Sequence, residues 1–120
     1  MPRDERAYLE DILESCDAIL VALRGVDVEA YKSNRLVRSS VEREFTIIGE
    51  AVNCLSRNAP ELFASITHAR HVVDFRNQLA HEYSNVNDTF VWGIADREVP
   101  VLRRECAQLL TQLESSGSAD

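Results

Sequence analysis

Leu9, Ile12, Leu13, Cys16, Ile19, Leu20 and Leu23 recur at intervals of three and four, which places them on one face of a helix. The pattern predicts a first helix over about 3–24, with Pro2 before it, Asp4 and Glu5 against its N-terminal dipole and Gly25 ending it. Asp27 can cap a short turn through Val28, Glu29, Ala30 and Tyr31. Ser33 and Asn34 then open a second long helix over about 35–56. Its stripe holds Leu36, Val37, Val41, Phe45, Ile48, Val52 and Leu55. Gly49 lies inside this helix at a cost of about 1 kcal/mol against alanine, for which close approach of a neighbouring helix would compensate.

Asn58-Ala59-Pro60 breaks the chain, and Pro60 to Phe63 reads as a short turn of helix. A third main helix follows over about 69–82, with Val72, Val73, Phe75, Leu79 and Ala80 as its apolar positions. Ser84 to Asp88 forms a polar loop, and Asn87 or Asp88 can cap the last helical region over about 89–114. Pro100 predicts a break near Glu98 and Val99. Val101, Leu102, Cys106, Leu109, Leu110 and Leu113 resume the stripe beyond it. The expected architecture is all-α: an antiparallel four-helix bundle with an additional short helix, one domain over 1–114 and a disordered tail over 115–120.

Composition narrows the function. The chain has 120 residues and a net charge of −7, so its surface as a whole repels nucleic acid, and any RNA binding needs a local cationic site or a partner. Cys16, Cys54 and Cys106 are far apart and odd in number, which reads as buried free thiols. With no signal peptide and no apolar run of membrane-spanning length, a soluble cytoplasmic protein is expected. No phosphate loop, Ser-His-Asp order, zinc motif or carboxylate cluster of a two-metal nuclease is present, and no cofactor is expected.

The chemistry concentrates in Arg76-Asn77-Gln78-Leu79-Ala80-His81-Glu82-Tyr83. Arginine is a permanent cation with a fork suited to phosphate, and histidine moves protons near neutral pH. Together they can break a phosphodiester without a metal. On a regular helix, Asn77 and His81 share a face, as do Arg76 and Tyr83, but Arg76 and His81 lie about 140° apart. Either the helix loosens near His81, or the motif sits on a two-fold seam where a second chain completes the cleft. The plain structural reading instead pairs Arg76 with Asp74 or Glu82.

Other groups carry weaker signals. Glu50, on a mostly apolar face, is either an internal partner for an arginine or a supporting group behind the site. His68, His71 and Asp74 have metal-compatible spacing, but the remaining ligand is missing and no metal is expected. Lys32, Arg35, Arg38 and Arg43 form either a phosphate track or a solvated face paired with Glu42 and Glu44. Trp92 reads as packing rather than base stacking.

The Arg-x4-His-x-Tyr spacing of Arg76, His81 and Tyr83 resembles the motif of HepT-like toxins, a branch of the HEPN ribonuclease superfamily. Tyr8 to Ile12, Ile47 to Ala51, and Val91-Trp92 extend the resemblance over nearly the whole chain. It implies a helical homodimer whose paired motifs line a cleft, acting as a metal-independent endoribonuclease on tRNA or mRNA. It further implies the toxin half of a toxin–antitoxin pair of the HepT/MntA type, silenced when a minimal nucleotidyltransferase adds AMP to Tyr83. In this scheme Arg76 and His81 are catalytic, and Asn77, Tyr83 and Glu50 support them. The alternative is a non-catalytic helical dimer that binds and supports the nucleotidyltransferase.

Overall fold

The computed structural model describes residues 4–81 and 87–118, and these form seven helices without a strand. They are α1 (Glu5–Ala22), α2 (Val28–Ser33), α3 (Arg35–Asn58), α4 (Pro60–Ala64), α5 (Ala69–His81), α6 (Asp88–Arg97) and α7 (Val99–Ser118). Short polar side chains set several starts. Asp4, Asp27, Asn34 and Asn87 each accept a hydrogen bond from a backbone N–H in the turn they open, at 2.8–3.1 Å. Of the two residues able to cap α6, Asn87 does so. Gly25 closes the turn after α1 at φ +71° with open space around it, so backbone conformation rather than crowding favours glycine there.

Helix α1 packs on α3 and α7, α5 packs on α3, and α2 packs against α6. The buried stripes supply the core: Leu9, Ile12, Cys16 and Ile19 from α1; Val41, Phe45, Ile48, Val52 and Leu55 from α3; Val72, Phe75 and Leu79 from α5; and Leu102 and Cys106 from α7. Phe45 and Phe75 meet edge to face, with ring centroids 5.0 Å apart, and so join α3 to α5. Tyr31 is wholly buried, and its hydroxyl has no hydrogen-bond partner among the described residues. Burial is the main cause that pushes its phenol pKa up, with the Glu42 and Asp88 carboxylates adding to it.

Several expected details change. Leu36 is 83% exposed and leaves the core stripe. It sits one residue, about 100°, from Val37, and it is Val37 that leads into Val41 and Phe45. Ala80 is likewise exposed beside buried Leu79. Cys16 and Cys106 are buried, and burial holds both thiols protonated, but Cys54 is only half-buried. The break before Pro100 forms at Glu98, where α6 ends and α7 begins. The last helix runs to Ser118 rather than stopping at Glu114. No helix among the described residues is long and apolar enough to cross a membrane.

Trp92 is a packing residue, as expected. Its indole N–H donates to the Val26 carbonyl at 3.0 Å, pinning α6 to the turn after α1. Trp92→Phe keeps most of the apolar contact but strands that carbonyl, at a cost of about 1–2 kcal/mol. The expected result is a melting temperature lowered by several degrees. An unchanged value would mean that water satisfies the carbonyl equally well.

Candidate active site

Arg76 is reached through a close crossing of α3 and α5. A Cβ built on Gly49 would lie 2.2 Å from the Arg76 Cβ and 2.5 Å from its Cγ. The missing side chain is therefore the seat of the arginine stem, which identifies the neighbour behind this mid-helix glycine. At the far end of the stem, Nη2 donates to Glu50 Oε1 at 2.9 Å and Nη1 donates to Asn77 Oδ1 at 3.2 Å. Nε is buried with no hydrogen-bond partner among the described residues. Two adjacent residues of α3 thus fix one side chain of α5, Gly49 by leaving room and Glu50 by charge.

Among the described residues, Arg76 pairs with Glu50 across 26 positions rather than with Asp74, and Glu82, the other predicted partner, lies outside them. Of the two sequence readings of Glu50, the structure shows the arginine partner, at the surface rather than inside the protein. Its side chain is 56% exposed and that of Arg76 30%, so the ion pair adds at most about 1 kcal/mol to stability. Its larger effect is orientation. Asn77 turns toward Arg76 rather than standing only as a neighbour of His81. Glu50 also borders a shallow groove of about 170 Å³ between α1 and α3, lined by Tyr8, Asp11, Ile47, Ala51 and Cys54.

His81 is the last residue of α5 and is exposed. Helix α5 stays α-helical through it, so no loosening precedes His81 to swing the imidazole toward Arg76. Within one chain, the arginine is drawn to α3 and the histidine stands about 140° away around the axis. Tyr83 and the loop residues Ser84, Asn85 and Val86 lie outside the described residues.

The other sequence candidates disperse. Arg38 donates to the Lys32 carbonyl and reaches Asp88 at 3.7 Å, and Lys32 reaches Glu29 at 3.9 Å. Two of the four cations of the predicted phosphate track are thus already paired, Arg38 with a carboxylate fifty positions away rather than with Glu42 or Glu44. His71 and His68 both direct Nδ1 at Glu98 Oε1, at 2.8 and 3.7 Å. They lash the start of α5 to the corner between α6 and α7. Among the described residues, no three His, Cys, Asp or Glu side chains gather in a way that could hold a metal ion. Phe90 and Arg97 were not singled out in the sequence, yet both stand on the outer stripe of α6.

Helical throughout its described residues, with an arginine–histidine helix seated on α3, the chain is a HEPN-like bundle. It belongs to the HepT-like ribonuclease family, whose model, described as Ribonuclease HepT-like, matches residues 12–109. A Methanocaldococcus jannaschii protein named as a candidate RNase is 31% identical over 86% of this chain and 94% of its own length. A Caldanaerobacter subterraneus protein, also named as a candidate RNase, is 29% identical over 88% of this chain and 93% of its own. A Thermococcus cleftensis protein named as a probable ribonuclease HepT is 29% identical over 91% and 98%. No solved structure gives a significant match.

Proposed function

We propose that this chain is a metal-independent endoribonuclease whose working site is completed by two protomers, and that it is the toxin of a toxin–antitoxin pair. The observation that carries this reading is the Arg76 seat. An arginine held by Gly49, Glu50 and Asn77 is a prepared phosphate-binding cation, and an exposed histidine on the same helix offers proton transfer from another face. Family membership and the ribonuclease names of its relatives support RNA as the substrate.

In this mechanism one His81 takes the proton from a ribose 2′-hydroxyl. The 2′-oxygen attacks the adjacent phosphorus, the bond to the 5′-oxygen breaks, and that oxygen leaves with a proton from the partner protomer's histidine. The products are a 2′,3′-cyclic phosphate and a 5′-hydroxyl. Arg76 stabilises the extra negative charge on the phosphorane through its Nη groups. The nucleophile belongs to the substrate, so the protein supplies only charge and proton transfer. The regular course of α5 through His81 favours a cleft built from two chains over a site within one helix.

Tyr83, two residues beyond His81, is the acceptor for AMP in this proposal: a minimal nucleotidyltransferase is the partner, the Tyr83 oxygen attacks the α-phosphorus of ATP as it loses its proton, and pyrophosphate leaves. Each added AMP places negative charge next to a phosphate-binding arginine and repels substrate. Two measurements test the scheme. Purified protein in excess chelator is expected to cut single-stranded RNA and leave cyclic phosphate ends. Co-expression with the nucleotidyltransferase is expected to add multiples of an AMP unit to the Tyr83 peptide, read by mass spectrometry. The net charge of −7 favours a second reading, a non-catalytic dimer that supports the nucleotidyltransferase. Tight partner binding with intact RNA and unmodified Tyr83 would select it.

A further inference from the structure

Helix α6 carries a second feature suited to RNA, distinct from the Arg76 seat. Phe90 in its first turn is 44% exposed, and its ring meets Phe75 and His71 at centroid distances of 6.0 and 6.4 Å. Those contacts are edge-type and set the ring against α5. Seven residues on, Arg97 lies within about 20° of Phe90 around the helix axis. Gly93 lies between them in sequence and is buried. A Cβ on Gly93 would come within 3.1 and 3.3 Å of the two terminal nitrogens of Arg97. The guanidinium therefore folds back a full turn onto the bare backbone of Gly93, toward Phe90.

A cation at a helix C-terminus ordinarily favours the dipole there, and a side chain leaning toward the N-terminus is normal. Neither calls for a mid-helix glycine beneath the guanidinium. Among the described residues, no hydrogen bond or ion pair engages Arg97. An exposed aromatic and an unengaged guanidinium thus share one stripe of α6, with the guanidinium drawn back to the turn between them. That pairing suits single-stranded nucleic acid, where a base stacks on a ring and a cation takes the phosphate. Phe75, which touches Phe90, precedes His81 by six residues, about 9 Å along α5 and about 120° around its axis. A strand of several nucleotides running on from a phosphate bound near His81 covers that path. The net charge of −7 requires such a local device, because the surface at large repels the strand.

We propose that Phe90, Gly93 and Arg97 form a subsite for single-stranded RNA beside the cleaved bond, with a base stacked on the open face of Phe90 and a neighbouring phosphate on Arg97. The proposal rests on the ribonuclease reading for the identity of the strand but not for its test. Stacking accepts any base, so the subsite selects unpaired RNA rather than a sequence.

The test uses fluorescence anisotropy of the whole protein with a short fluorescein-labelled strand of 2′-O-methyl RNA, which cannot be cut. Phe90→Ala is expected to weaken binding roughly 5- to 100-fold, and Phe90→Trp to preserve it. An abasic version of the strand should bind wild type and Phe90→Ala alike. Arg97→Gln should weaken binding and lower the salt slope by about one. Gly93→Ala should reproduce the Arg97 effect, since the added methyl lifts the guanidinium from its seat. Equal binding by wild type and Phe90→Ala overturns the proposal. So does a Phe90→Ala protein that loses RNA only because its sedimentation mass falls, which would make Phe90 a contact between chains. If wild type binds the strand through Phe90 yet never cuts RNA, the ribonuclease reading fails and the subsite stands. Cleavage with Phe90-independent binding gives the opposite result.

Discussion

Arg76→Ala and His81→Ala are each expected to lower the rate of RNA cleavage by about 100-fold or more, with little change in melting temperature. Loss of a positioned proton-transfer group costs roughly 10²–10⁴ in rate, and loss of an oriented charge on the reacting phosphate is of similar size. Stability should hold for physical reasons specific to each site. His81 is exposed at a helix end, and such substitutions usually change stability by less than about 0.5 kcal/mol. Removing the Arg76 guanidinium leaves Glu50 with a side chain 56% exposed, so water replaces the lost partner at a cost below about 1 kcal/mol. Arg76→Lys should recover only part of the rate, because an ammonium cannot present a fork to both Glu50 and phosphate.

The His81→Ala variant also tests the shared cleft. Wild-type chains mixed with His81→Ala chains form heterodimers that keep a single histidine, so the proton-accepting and proton-donating roles cannot both be filled. After subunit exchange, cleavage is expected to fall as the square of the wild-type fraction of chains. A fall only in proportion to that fraction would place each site within a single chain, and the divergence of Arg76 and His81 along α5 would then need another explanation.

Gly49→Ala is expected to lower both stability and cleavage, against the ordinary preference of helices for alanine. The substitution gains about 1 kcal/mol in helix propensity. Its methyl, however, meets the first two carbons of the Arg76 side chain at 2.2 and 2.5 Å. These atoms sit close to the α5 backbone and cannot swing aside as a side-chain tip can, so the helices must part or the arginine must rotate. Overpacking against atoms so close to a backbone costs about 2–3 kcal/mol, the upper part of the usual range. A net loss near 1–2 kcal/mol should lower the melting temperature by about 3–8 °C for a domain of this size. kcat/KM should fall further than stability accounts for, because the guanidinium leaves Glu50 and Asn77. A stabilised and fully active Gly49→Ala protein would remove Gly49 from the positioning of Arg76.

Much of the fold was legible because helix periodicity and capping are local. The stripes of α1, α3 and α7, the caps at Asp27 and Asn34, the stop at Gly25 and the break before Pro100 each need only a few neighbouring residues. Errors occur where one residue of rotation decides burial, as at Leu36, Ala80 and Cys54. Within the candidate site, Arg76 and His81 stood out by chemistry, and Gly49 stood out as a misplaced glycine. What sequence could not supply was the partner in each pair. Arg76 binds Glu50, Arg38 reaches Asp88 and His71 reaches Glu98 across gaps that only tertiary packing closes. Arg97 passed unnoticed for the same reason, although the glycine four residues before it was a visible sign.

The fold-back of Arg97 onto Gly93 also bears on attempts to harden this protein. A mid-helix glycine beneath an exposed side chain is where a stability-guided redesign begins, since alanine there offers about 1 kcal/mol of helix propensity. The 3.1 Å clearance to the tip of a long side chain would raise no alarm, because the arginine can swing into solvent and the helix would melt later than before. The improved variant would then have exchanged a held cation for a wandering one, a loss that no thermal assay registers.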